Sequence, residues 1–138
     1  MVDTPLVKKL GIKPGHRVLI LYPPQGFVEM LNPLPEGAMM STQAEGPLYD
    51  VVVAFTTDKA EVDSRAPLAI ESLKPGGILW FAHPKKSGKI KTDISRDVGW
   101  DVVKAEGLDT VATVAIDETW SGVRFRPSQD VKARQKKA

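Results

Sequence analysis

The sequence predicts an α/β domain with a mostly parallel sheet that ends in an antiparallel β-hairpin. Three observations carry this prediction. The runs Arg17–Tyr22, Tyr49–Phe55 and Ile78–Ala82 are almost unbroken in apolar residues, as strands buried on both faces of a parallel sheet are. Helical spacing and helix-stop signals fall between those runs. The last two apolar stretches, Val111–Ile116 and Val123–Phe125, are joined by only six residues. A helical crossover needs about a dozen, so these two strands must pair as a hairpin.

Taken in order, the chain opens with a short helix. Thr4 is a suitable N-cap, Pro5 suits the first helical position, and Gly11 suits the stop. Pro23-Pro24 ends the first strand sharply. A brief helix over Gly26–Leu31 and a weakly patterned strand over Gly37–Thr42 follow. After the second strand, Asp58 with Glu61 resembles a capping box. Val62, Ala66, Ala69, Ile70 and Leu73 then form one apolar stripe at helical spacing. Pro67 lies inside the stripe and predicts a kink or restart near Ser64. Leu73–Gly77 reads as a helix stop before the third strand. A basic loop over Lys85–Lys91 leads to a helix over Thr92–Glu106, with Ile94, Val98 and Val102 on one face and Gly107 closing it.

The chain has 138 residues, 42% of them hydrophobic, which suits one compact domain over residues 1–127. Residues 128–138 carry Lys132, Arg134, Lys136 and Lys137 around a lone Val131, and read as a disordered basic tail. The absence of cysteine excludes disulfides, thiolate nucleophiles and Cys-ligated metals. No stretch reaches the roughly 18 apolar residues of a membrane span, and Met1–Pro5 does not begin a signal peptide. A cytoplasmic protein without a membrane partner is the expectation. Net charge is +2, divided as −2 over residues 1–69 and +4 over residues 70–138.

The pieces Lys13–Leu19, Tyr49–Val52 and Leu73–Leu79, with the terminal hairpin, resemble the Rossmann-like fold of class I S-adenosylmethionine-dependent methyltransferases. The resemblance spans roughly residues 6–126. Leu6–Gly15, Pro84–Gly88 and Asp117–Gly122 are also similar to a family of short bacterial proteins of unknown function, with a reduced version of that fold. Active methyltransferases are implied to carry a glycine-rich loop after the first strand, whose backbone approaches the cofactor. Here the loop reads Leu21-Tyr22-Pro23-Pro24-Gln25-Gly26. An acidic residue is implied at the end of the second strand, where Glu45 is the only nearby candidate, and residues 43–49 leave no room for a further strand and helix. These departures predict no cofactor, and S-adenosylmethionine in particular is not expected to bind.

Ligands of open α/β sheets bind at the carboxyl ends of the strands. That rule gathers Pro24, Gln25, Gly26, His83, Lys85, Lys86, Lys89, Asp117 and Trp120 as ligand-binding candidates. The lysines, with Lys91, can clamp a phosphate or simply solvate a loop. Asp117 and Glu118 can divide acid and base roles, although adjacent strand residues face opposite sides. Trp120 can equally pack as a lid over the sheet edge. His83 can serve as acid, base or phosphate ligand, or be a structural residue beside Pro84. His16 falls at the opposite end of the sheet, so the two histidines make no metal pair, and no serine has a nucleophile-elbow context. No catalytic residue is assigned.

The reading that accounts for most of this is a non-catalytic, methyltransferase-like binding or interaction module. An enzyme, a transferase using the same cleft with an altered cofactor mode, is the second reading. A weak anion or nucleic-acid binder through Lys85–Lys91 is the third. The expected partner is a small anionic ligand. Nucleic acid is disfavoured by the modest net charge and the lack of interleaved aromatics. A reduced fold with an uncovered face favours a homodimer.

Overall fold

The structure is a computed structural model that describes residues 6–31, 34–45, 48–85, 92–95 and 98–127. The caps at Thr4 and Pro5, the lysines at 86, 89 and 91, and the 128–138 tail lie outside the described residues. Six strands form one sheet in the order β2-β1-β3-β4-β6-β5. They are β1 (Arg17–Leu21), β2 (Met39–Ser41), β3 (Tyr49–Phe55), β4 (Leu73–Pro84), β5 (Leu108–Ala115) and β6 (Trp120–Pro127). Among the described residues four helices flank it: α1 (Leu6–Lys9), α2 (Phe27–Met30), α3 (Lys59–Glu71) and α4 (Asp101–Ala105).

The first four strands in space run parallel. Val18 pairs with Val51, Leu19 with Val52 and Val52 with Leu79. β6 then runs antiparallel to both β4 and β5, with Phe81 opposite Val123. This is the expected mixed sheet with its terminal hairpin. Its centre is dry because both faces are covered. On one face Leu19, Val52, Leu79, Phe81, Val123 and Phe125 pack under α3 and α4. On the other, Val18, Ile20, Val53, Phe55 and Trp80 pack against α1, α2 and their loops. Side-chain alternation along each strand supplies both faces. Trp80 Nε1 also donates to Leu10 O at 2.9 Å, tying α1 to the sheet.

Several elements depart from the sequence expectation. α3 runs unbroken through Pro67, without a restart near Ser64. It ends at Glu71 with Ser72 as its C-cap, and β4 begins at once with Leu73, so Lys74–Gly77 belongs to the strand and not to a helix stop. A register shift between Tyr49 and Val51 absorbs those residues. The helix expected over Thr92–Glu106 shrinks to Asp101–Ala105. Gly99, at φ 101°, breaks it, and a Cβ there would collide with the Ile94 side chain. Ile94 and Val103 are therefore buried, whereas Val98 is 56% exposed. The weakly patterned strand is real but short, pairing parallel to β1 at the sheet edge.

Candidate functional site

The carboxyl ends of β1, β2, β3 and β4 meet the turn between β5 and β6 along one edge of the sheet. After β1, Tyr22 takes φ 58° and Gly26 takes φ 88°, both left-handed. Tyr22 is the only non-glycine among the described residues at positive φ. A glycine adopts this conformation freely, whereas an L-residue pays about 1–2 kcal/mol. The prolines between them satisfy their own fixed φ, and Phe27 N donates to Pro24 O at 3.1 Å to close the turn into α2. A Cβ on Gly26 would meet nothing within 4 Å, so open space lies above the loop.

Tyr22 is held from the α3 side. The Arg65 guanidinium sits 3.9 Å from its ring centroid, and Arg65 NH1 donates to Phe55 O at 2.9 Å and to Glu61 Oε1 at 3.1 Å. Glu61 Oε1 also accepts from Thr57 N and Thr57 Oγ1, each at 2.7 Å. Burial would raise the Glu61 carboxyl, but the two Thr57 bonds and the Arg65 charge outweigh it and hold the group below its ordinary value. Asp58 caps α3 by accepting from Glu61 N at 2.9 Å, so the expected cap is present and the return bond falls one residue early, on Thr57. Between Tyr22 and the end of β2 lies a groove of about 300 Å³, lined by Leu21, Tyr22, Thr42, Gln43, Ala44 and Leu68.

The sequence candidates are distributed unevenly along this edge. Pro24, Gln25 and Gly26 form the loop over β1. Trp120 is 7% exposed and stacks edge-on against Phe55 at 5.1 Å, with Phe27 4.6 Å beyond, on the α1–α2 face. Asp117 Oδ1 accepts from Thr119 N and Trp120 N, both at 2.8 Å, which fixes the hairpin turn. Lys85 N donates to Thr119 O at 2.8 Å, joining the end of β4 to that turn. His83 is buried on the other face, 6.0 Å from the Trp100 ring, with Nδ1 3.0 Å from Pro84 O. Burial lowers its pKa, and the Pro84 carbonyl opposes this only in part. The sheet thus separates His83 from Trp120. Lys86 and Lys89 lie outside the described residues.

Tyr22, Arg65, Thr42 and Gln43 were not singled out by the sequence. The available signal for Tyr22 was an aromatic residue where a glycine would relieve a left-handed turn. Arg65 sits ten residues beyond the strand whose last carbonyl it binds, and only the packing of α3 reveals it.

Strand order, the carboxyl-edge cleft and the terminal hairpin define the class I methyltransferase fold. Solved structures share it at low sequence identity. The DhpI–SAH complex matches with TM-score 0.59 and 13% identity, over 89% of this chain and 82% of that one. Magnesium protoporphyrin IX methyltransferase (ChlM) from Synechocystis PCC 6803 with bound SAH matches with TM-score 0.57 and 13% identity, over 88% and 78%. A SAM-dependent methyltransferase from Aquifex aeolicus matches with TM-score 0.52 and 16% identity, over 87% and 86%. No protein-family model and no curated protein sequence matches the chain. The structural likenesses correct the expectation of no cofactor, because two of these three folds were solved with SAH and the third is named as SAM-dependent. The physical reason is local. The two prolines remove backbone donors from the loop after β1, yet Tyr22 and Gly26 on either side of them both take a left-handed conformation.

Proposed function

We propose that this chain binds S-adenosylmethionine at the carboxyl ends of β1 and β2 and acts as a methyltransferase. The observation that carries the reading is the loop Tyr22–Gly26, which turns left-handed at both ends beside a groove of about 300 Å³. The groove's lining fits a nucleoside. Tyr22 offers an aromatic wall, with its other contact taken by Arg65. Leu21 and Leu68 supply apolar area, and Thr42 and Gln43 supply neutral donors and acceptors for hydroxyls where a carboxylate was expected. Gln25 and Gly26 keep backbone N–H groups on the loop, Pro23 and Pro24 having none. When bound, the cofactor supplies an electrophilic methyl group on a sulfonium.

The chain's own contribution is positional. The Thr57–Glu61–Arg65 bonds lock the β3–α3 loop against Tyr22, so the wall of the groove is preorganised. The carboxylate of Asp58 is used in the cap of α3 and that of Asp117 in the β5–β6 turn, which favours acceptors that need no proton removed by these two groups. The same observation supports the second reading, a module that binds the cofactor without transferring its methyl group.

Calorimetric titration with SAH tests the binding, and incubation with methyl-labelled S-adenosylmethionine and candidate acceptors tests the transfer. One-site saturation at micromolar concentration that is lost in Tyr22→Ala supports the proposal. No heat with the folded wild type overturns it. Binding without label transfer to any acceptor selects the second reading.

A further inference from the structure

A polar cleft of about 250 Å³ lies at the opposite pole, around the amino ends of the parallel strands. One wall is the turn before β1, with Lys13 and His16, and the other is the start of β4, Lys74–Gly77. The strand register makes the second wall. Tyr49 pairs with Leu73 and Val51 with Ile78, so four residues of β4 stand across from Asp50 alone. Such an excess leaves the ladder and forms a bulge. Gly76 takes φ 79° there, and a Cβ on it would meet nothing within 4 Å, so its backbone faces open ground. A Cβ on Gly77 would stand 2.9 Å from Asp50 O, so a glycine is what lets the bulge close down on β3.

The facing turn is fixed by two reciprocal bonds. His16 N donates to Lys13 O at 3.1 Å, and Lys13 N donates to His16 Nδ1 at 3.1 Å. Because Nδ1 accepts, the neutral imidazole carries its proton on Nε2, which makes that nitrogen a donor. Two ammonium groups join it. Lys13 has no ion pair among the described residues. Lys74 Nζ donates to Asp50 Oδ1 at 3.1 Å, and an ammonium has two further protons to donate. Asp50 is the one carboxylate in the lining, and its other oxygen accepts from Arg17 N at 2.8 Å. Two ammonium groups against one carboxylate leave the lining at +1 with the imidazole neutral.

We propose that this cleft binds a phosphate group, as the free ion or on a small phosphomonoester, between the Lys13–His16 turn and the Lys74–Gly77 bulge. A tetrahedral dianion takes donors from several directions, and lysines serve it as point charges. The two ammonium groups and Nε2 of His16 supply such donors from both walls. Gly76 gives the bulge the left-handed turn found in backbone concavities that bind anions. A carboxylate ligand is matched best by the parallel N–H groups of a guanidinium, and no arginine lines the cleft. A metal ion is disfavoured, because both oxygens of Asp50 already accept bonds and no second carboxylate lines the cleft. The site is independent of the methyl-transfer proposal, since it lies at the other end of the strands.

The test is an NMR titration of the full chain that follows backbone amides at constant pH. Inorganic phosphate and phenyl phosphate are added separately, each compared with sodium chloride at equal ionic strength, which removes the effect of screening. Three variants are measured beside the wild type, each checked for an unchanged melting curve. Lys13→Ala removes one ammonium group. His16→Asn offers an amide oxygen to Lys13 N in place of Nδ1 and removes the Nε2 donor. Lys104→Ala, on the exposed side of α4, controls for any surface lysine. The proposal expects saturable shifts centred on the amides of residues 13–17 and 74–78. It also expects severalfold weaker binding in Lys13→Ala and in His16→Asn, with no change in Lys104→Ala. Saturation by inorganic phosphate alone supports a site for the free ion, and tighter binding of phenyl phosphate supports a site for an ester. Shifts that fail to saturate, that chloride reproduces, that centre elsewhere, or that survive both substitutions unchanged overturn the proposal.

Discussion

At the scale of single residues, the buried His83 ties stability to pH. Its pKa lies below the ordinary 6.5 because burial disfavours the imidazolium, so the unfolded chain binds the proton more readily than the folded one. The stabilisation is complete above pH ~6.5 and is lost as pH falls toward the folded-state pKa. Chemical denaturation from pH 7.5 to 5 should show this decline, and His83→Leu should flatten it (about these limits). Asp50 contributes at lower pH. The Arg17 N–H bond lowers its carboxyl most, burial opposes this, and Lys74 lowers it further. Its contribution is present above the unfolded pKa, near 3.9, and is lost as pH falls through the folded one. Gly26 is the residue whose conformation matters most to the loop. Gly26→Val, forced to φ 88°, should destabilise the fold by about 1–2 kcal/mol and weaken SAH binding in the same calorimetric titration.

At the scale of elements, α3 carries the wall of the cleft, and its N-cap is the accessible handle. Asp58→Ala removes the bond to Glu61 N and should cost about 0.5–2 kcal/mol in urea denaturation. Because α3 also holds Arg65 against Tyr22, the same variant should weaken SAH binding. β3 is less forgiving. Val52 is fully buried between β1 and β4, and Val52→Asp should abolish cooperative folding, read by loss of a melting transition, since a buried unpaired carboxylate costs several kcal/mol. The elements with a strong local signature were legible in the sequence: the β1, β3 and β4 runs, the Asp58 cap and the hairpin. α4 was not, because Ile94 and Val98 have helical spacing yet Gly99 turns the chain back over Ile94. β4 was read too short, because Pro75-Gly76-Gly77 is a stop signal locally but is accommodated by a shift of strand register.

At the scale of the whole molecule, the groove for which cofactor binding is proposed lies at the carboxyl pole of the sheet. A ligand that binds only the folded state stabilises it by about 2.7 kcal/mol at a concentration a hundred times its Kd, so a saturating excess of SAH should raise Tm measurably. Absence of a shift, with calorimetry also silent, would contradict the cofactor assignment. The fold class was decided by the sequence alone, because buried parallel strands and a six-residue hairpin connection leave few arrangements of the chain. The candidate site was only partly decided there. Pro24, Gln25 and Gly26 could be placed at the carboxyl edge from strand order, but the prolines concealed the left-handed turns at Tyr22 and Gly26. Tertiary structure decided which side chains share a face. It put His83 under α4 and Trp120 against Phe55 on opposite sides of one sheet, and it brought Arg65 over Tyr22 across more than forty residues of chain. The physical reason is that pleat and helix periodicities are local, whereas the pairing of a loop after one strand with a helix after another depends on how the sheet is assembled.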